Sequence, residues 1–136
     1  MIKTAVGFIK GMATLPKPLW VWIGVLMLVN MVLPLFFFST LEAKVVLATT
    51  FLGALTQMVI FRARGFVRLL GIGHIYWVLL LPWLFSRLGP SSLAGDLRTW
   101  IWAVLIVDGI SLVIDTADVV RYAAGDRAAS YRLGDP

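Results

Sequence analysis

The chain has 136 residues, 60% of them hydrophobic and only 14% charged, with a net charge of +5 and no cysteine. A soluble domain of this size has too little interior to hide so much apolar surface, and uncharged runs of about 17 residues or more recur, long enough to read as transmembrane helices. Without cysteine, disulfides, thiolate metal sites and thiol chemistry are excluded. The Lys and Arg sit at the ends of the apolar runs, so the positive charge points to anionic lipid headgroups and membrane topology, not to nucleic acid. The expected architecture is an all-α integral membrane protein, residues 1–136 forming one membrane domain. It is a four-transmembrane-helix bundle preceded by a short amphipathic interfacial helix.

Residues 1–15 do not read as a cleaved signal, because the apolar run comes later and no small-x-small site follows it. On a helical wheel Ile2, Ala5, Val6, Ile9 and Met12 share one side, and Lys3, Thr4, Gly7 and Lys10 the other. That is the pattern of a helix lying in the membrane interface. Gly7 and Gly11 make a frayed tail the competing expectation.

Pro16 and Pro18 open a first span over residues 18–38, since proline is well tolerated in a first helical turn. Trp20 and Trp22 stand at its entrance, where indole rings favour the headgroup layer. Asn30 is the one strongly polar residue in its middle, and Pro34 is positioned to kink the far end. Ser39-Thr40-Leu41-Glu42 resembles a capping box, with Ser39 as N-cap and Glu42 reaching back. It starts a second span, 41–61. Ala43, Thr50, Ala54 and Gln57 share one face there, with Gly53 at its edge, a small-residue strip that lets helices approach closely.

Arg62, Arg64 and Arg68 crowd a short loop turning at Gly65. The third span is expected over 66–86, with Gly71-Ile72-Gly73-His74 early and Pro82-Trp83 late. An exposed loop over Arg87–Arg98 holds Gly89-Pro90 and then Ser91 and Ser92. The fourth span, 99–122, is the least comfortable in a bilayer. It carries Asp108, Asp115 and Asp118, and at ~100° per residue these fall with Ser111 and Tyr122 within an arc of roughly 80°. A carboxylate at mid-membrane costs about 2.5–3.5 kcal/mol, while each Leu, Ile or Val returns about 0.3–0.6. Such a helix inserts stably only against partners that take up its acidic face. Gly125 is a plausible C-cap, and residues 126–136 read as a short mobile tail.

With both termini cytoplasmic, nine of the twelve Lys and Arg lie on the inner side and only Lys44, Arg87 and Arg98 on the outer. This follows the positive-inside rule, and a bacterial inner membrane is the expected location. Depth then follows at about 1.5 Å per residue. Gln57, His74 and Asp115 lie roughly 6–12 Å from the cytoplasmic ends, and Asn30 and Asp108 roughly 18–21 Å. The expectation is a polar interior of two layers forming an ion or proton site, with an ion pair between Asp118 and Arg121 nearer the surface.

Membrane carboxylates facing a bundle interior mark ion or substrate paths, and an adjacent His relays protons near neutral pH. The competing reading is that Asp108 and Asp115 only bind helices together. Trp77, one turn from His74, reads as packing with an aromatic gate as the sharper alternative. A bis-His haem needs a second His, a di-iron carboxylate site needs Glu-x-x-His pairs, and Glu42 is the sole Glu. Ser111 and Ser86 lack a nucleophile elbow for a hydrolase built on His74. No catalytic residue, cofactor or metal is therefore expected. Spans one and three share a Leu-Pro step near their outer ends, a faint two-plus-two echo.

The function expected first is transport or channel activity for a proton or monovalent cation. The alternative is a non-catalytic accessory or assembly subunit of a larger membrane complex, and lipid or quinone-type ligand binding ranks lower. Four short helices give little room for a private path, so a homo-oligomer or a partner membrane subunit is expected. An acidic stripe facing its own bundle would favour transport; one facing outward would favour a missing partner.

Overall fold

The computed structural model describes residues 1–89 and 95–136, and every regular element among them is helical. The polar turn expected at Pro90, Ser91 and Ser92 lies outside the described residues. Helix α1 covers Ile2–Ala13, α2 Lys17–Phe36 and α3 Leu41–Arg64. A 3-10 segment, Arg68–His74, leads into α4, Trp77–Arg87, and α5 runs over Gly95–Ala123. Three helices are long and apolar enough to cross a membrane: α2, α3 and the joined stretch Arg68–Arg87. α5, at 29 residues, is the longest helix and carries the acidic face.

α2 is not a plain kinked helix. Between Lys17–Met27 and Leu33–Phe36 it opens into a π turn over Leu28–Val32, where the Leu33 N–H reaches the Leu28 carbonyl. Pro34 has no N–H to give the turn below it, so carbonyls there need outside donors. The Trp100 indole donates to the Val29 carbonyl at 2.9 Å, and the Thr50 hydroxyl lies 3.5 Å from the Asn30 carbonyl. The Trp100 bond tethers the π turn to α5, while the Thr50 hydroxyl gives its hydrogen to the Val46 carbonyl of α3 at 2.8 Å. Pro82 sits inside a regular helix instead, so the two Leu-Pro steps are not structural equivalents.

The cap of α3 also differs from expectation. Thr40, not Ser39, is the N-cap, its hydroxyl accepting from the Ala43 N–H at 3.3 Å. Glu42 does not reach back; it is buried and accepts from Arg87 Nε at 2.7 Å. A cation on a neighbouring helix outcompetes a backbone N–H for a buried carboxylate. At its other end α3 stops at Gly65, whose φ of +80° favours glycine.

The third span was expected to be helical from residue 66. Phe66 and Val67 are not helical, and Arg68–His74 then winds as a 3-10 helix, with side chains repeating every three positions. The residues after Gly125, expected to be a mobile tail, fold back along the bundle end. Phe66 donates to the Tyr131 carbonyl at 2.6 Å and Ser130 to the Phe66 carbonyl at 3.0 Å. The buried Tyr131 ring stacks on Phe61. α1 packs there too, but through the side assigned to water. Gly7 and Gly11 are buried, and a Cβ on Gly7 would lie 2.7 Å from Leu133 and 3.2 Å from Phe61. Ile2, Val6 and Ile9 face outward beside Lys3 and Lys10.

Two apolar clusters result. The larger one, built on Val46, Leu80, Leu84, Trp100, Ile101 and Val104, fills the half of the bundle near Glu42 and Arg87. The smaller one, Phe61, Leu70 and Tyr131 with Phe8 and Phe66, closes the Arg-rich end. The polar residues lie between them.

Candidate functional site

One face of α5 presents Asp108, Ser111, Asp115 and Asp118 at offsets of three, four and three residues, so a single stripe runs up the helix. The stripe faces its own bundle. Asp108 Oδ1 accepts from Asn30 Nδ2 at 2.7 Å, and Ser111 accepts from the Trp22 indole at 2.9 Å, both partners lying on α2. Asp115 meets His74 Nδ1 at 2.6 Å, and Asp118 is bonded by the Arg68 guanidinium.

Glycines explain how His74 reaches this place. The 3-10 segment wedges between α3 and α5 at backbone distance. A Cβ on Gly71 would lie 3.0 Å from the Asp115 Cβ, one on Gly53 of α3 would lie 2.6 Å from the Gly73 carbonyl oxygen, and one on Gly73 would overlap the Gln57 side chain. With a three-residue repeat, Gly71 and His74 share the side toward α5, while Leu70 and Gly73 share the side toward α3. An α-helix would rotate His74 off Asp115.

The bonds around His74 also select its tautomer. Gln57 Nε2 donates to the Leu70 carbonyl at 3.3 Å and lies 3.3 Å from His74 Nε2. A carbonyl only accepts, so the Gln57 amide nitrogen is the donor, and His74 Nε2 receives its other hydrogen. The ring proton then sits on Nδ1, pointing at Asp115. Trp77 stacks on the imidazole, centroids 4.1 Å apart and planes within 7°. It covers one face of the ring.

At the deep end, Asn30 donates to the Leu26 carbonyl as well as to Asp108. Both residues are buried, and Asn30 Oδ1 and Asp108 Oδ2 have no hydrogen-bond partner among the described residues. Two orphaned acceptors in one buried site call for a donor or a cation, because such groups are otherwise nearly always satisfied. Along the stripe exposure falls steadily: the Asp118 side chain is 32% exposed, Asp115 19%, and Asp108 is fully buried.

An open cleft of about 780 Å³ follows the same gradient, from Asp126 and Asp118 at its mouth past His74 to Asn30. Beyond Asn30 and Asp108 the bundle is closed by the buried apolar side chains of Val29, Val104, Ile101 and Leu84.

All five residues expected in the two polar layers are brought together: Gln57, His74 and Asp115 in one, Asn30 and Asp108 in the other. The expected Asp118–Arg121 pair does not form. Arg121 projects outward and comes only within 3.9 Å of Asp126, whereas Arg68 bridges Asp118 and, at 2.8 Å, Asp126. Neighbours on one helix lost to a side chain arriving from the segment packed against it. Arg68 and the Trp22–Ser111 bond were missed as site elements. Ser111 lay on the acidic arc, but nothing local in the sequence assigns its partner. Comparison with protein families, curated proteins and solved structures gives no match.

Proposed function

We propose that the chain is a four-span integral membrane protein, termini on the cytoplasmic side of a bacterial inner membrane, that takes up a proton or monovalent cation at its buried Asp/His site. Membrane residence is supported by outward-facing apolar side chains such as Val21, Phe51, Val59, Leu79 and Val113. It is supported too by the small share of each apolar window, 17%, 17% and 28%, that the chain buries itself. α5 is the fourth span. Its 29 residues extend about 43 Å, enough for a hydrocarbon core of about 30 Å. The two ends differ in charge as the positive-inside rule asks. Lys44, Arg87 and Arg98 sit at the Glu42 end, and the other nine basic residues belong to segments at the opposite end.

The observation that carries the reading is the acidic stripe turned into its own bundle, graded from a half-exposed mouth to orphaned acceptors at Asn30 and Asp108. An accessory subunit docking through that stripe would turn it outward. The site works without catalysis. His74 exchanges its Nδ1 proton with Asp115 and takes a proton on Nε2 when Gln57 turns its amide oxygen toward the ring, and Asp108 with Asn30 holds a proton, or a cation, at depth. The dry outer core leaves no through-path in this conformation, so passage requires a second subunit or an opening of that core.

Liposomes holding purified protein test the reading. Proton or alkali-cation flux in the wild type, lost in folded Asp115→Asn and His74→Ala variants, is the expected result. Silence of all three proteins across ions and pH, with the bundle intact, would overturn it.

A further inference from the structure

The cleft is larger than a proton site needs, and its lining is divided. At about 780 Å³ it falls within the range of roughly 300–1,000 Å³ typical of sites for small organic ligands. One wall is apolar, made by Phe8 and Met12 of α1 and by Leu19, Ile23, Leu26 and Met27 of α2. The facing wall holds Gln57, His74, Asp115, Asp118 and Arg68, with Asp126 at the mouth. Of these three carboxylates, Asp118 and Asp126 are bonded by Arg68, and Arg121 comes within 3.9 Å of Asp126 from outside the cleft, so Asp115 is the one with no guanidinium beside it. Asp115 faces only the neutral-tautomer His74. The cleft therefore holds one carboxylate, Asp115, without a cationic partner, and the aromatic rings of Trp22 and Phe66 line the same space, where ring quadrupoles attract cations. A second observation points the same way from below. Asn30, 2% exposed, lines the deep end and carries an orphaned Oδ1.

We infer that this cleft binds a lipophilic organic cation, a quaternary onium or protonated aromatic amine, with its apolar body against α1 and α2 and its charge beside Asp115. The inference rests on the ion-site reading above and names the substrate class for it. An anionic amphiphile fits less well, because Arg68 is held by two carboxylates and an incoming anion would meet Asp115 behind them. A neutral ligand would use the apolar wall but leave Asp115 without a counter-charge.

The test uses full-length protein in lipid nanodiscs and two probes of nearly the same size and shape, tetraphenylphosphonium and tetraphenylborate. Equilibrium dialysis, corrected with empty nanodiscs, should show saturable binding of the cation and none of the anion. Asp115→Asn should weaken cation binding by about tenfold or more, the scale of losing one partly buried counter-charge. Asp96→Asn, at the far end of α5, should leave it unchanged. Ile23→Trp narrows the apolar wall without touching a charge, and should also weaken binding. It keeps the test open if Asp115→Asn fails to fold. Absence of saturable cation binding, or equal binding of the two ions, would overturn the inference. Proton flux measured on the same preparation separates the two claims. Asp115-dependent flux without onium binding sinks the ligand class alone, and loss of both sinks the ion site with it.

Discussion

The two halves of the bundle are held together by different means. Toward Glu42 and Arg87, helices meet through large side chains: Val46, Leu84, Ile101 and Val104 are all fully buried, and Phe37 stacks on Trp100. Toward the Arg-rich end, the closest approach is backbone to backbone, at Gly53 against the Gly73 carbonyl and Gly71 against Asp115. In the first half, dispersion and dry burial decide the packing. In the second, small residues give up side-chain contact so that polar groups from three segments can converge on Asp115. The lesson is that this protein places its polar groups where its apolar packing is thinnest, and closes the opposite half tightly.

The contrast can be broken from either side. Leu84→Ala in the dry half should cost most, about 2–5 kcal/mol, because a fully buried leucine leaves a cavity that its neighbours only partly fill. Thermal unfolding in detergent would read that loss. Below the new midpoint, Asp115-dependent proton flux should persist, since the His74–Asp115 geometry does not touch Leu84. Gly53→Ala should be the reverse. Its Cβ would lie 2.6 Å from the Gly73 carbonyl oxygen, which cannot swing aside as a side chain can. The expected cost is smaller, about 1–3 kcal/mol for overpacking, yet flux should fall to the level of His74→Ala as the 3-10 segment is pushed off α3. If Gly53→Ala kept full flux, the glycine contacts would be packing and nothing more.

How far the sequence made this legible depends on the range of the interaction. The acidic arc on α5 and the depth-matched Asn30, Gln57 and His74 were readable, because helical periodicity and span length place residues without knowing the fold. The 3-10 winding of Arg68–His74 was not, although Gly71 and Gly73 announced something unusual. Glycine permits many backbones, and the choice was made by Gln57 and Asp115 on other helices. The π turn in α2 was half visible: Pro34 signalled a break, but the donor that stabilises it, Trp100, comes from elsewhere. Arg68 escaped for the same reason, since its bonds to Asp118 and Asp126 span 50 and 58 residues.

Capping at the Glu42 end offers a finer test of the same contrast. Thr40→Ala removes the hydroxyl that receives the Ala43 N–H and should lower stability by about 1 kcal/mol, whereas Ser39→Ala should change little. A larger loss from Ser39→Ala than from Thr40→Ala would restore the capping box and return Glu42 to the α3 backbone.

The ion pairs at the two ends should separate the halves by their response to salt. Glu42 is nearly fully buried, so Arg87→Ala strands a carboxylate in the dry half and should cost about 1–3 kcal/mol. Asp126 is about half exposed and shares Arg68 with Asp118, so Asp126→Asn should cost about 0–1 kcal/mol, and raising the salt concentration should erase much of that difference. The salt series is the informative arm. Were Arg87→Ala to lose its penalty in salt as readily as Asp126→Asn, water would reach Glu42, and the half around Glu42 would not be a dry plug that closes the cleft. If instead the Arg87→Ala penalty holds while the Asp126→Asn penalty fades, solvent enters this bundle from the arginine-rich end, and the path to Asp108 begins there.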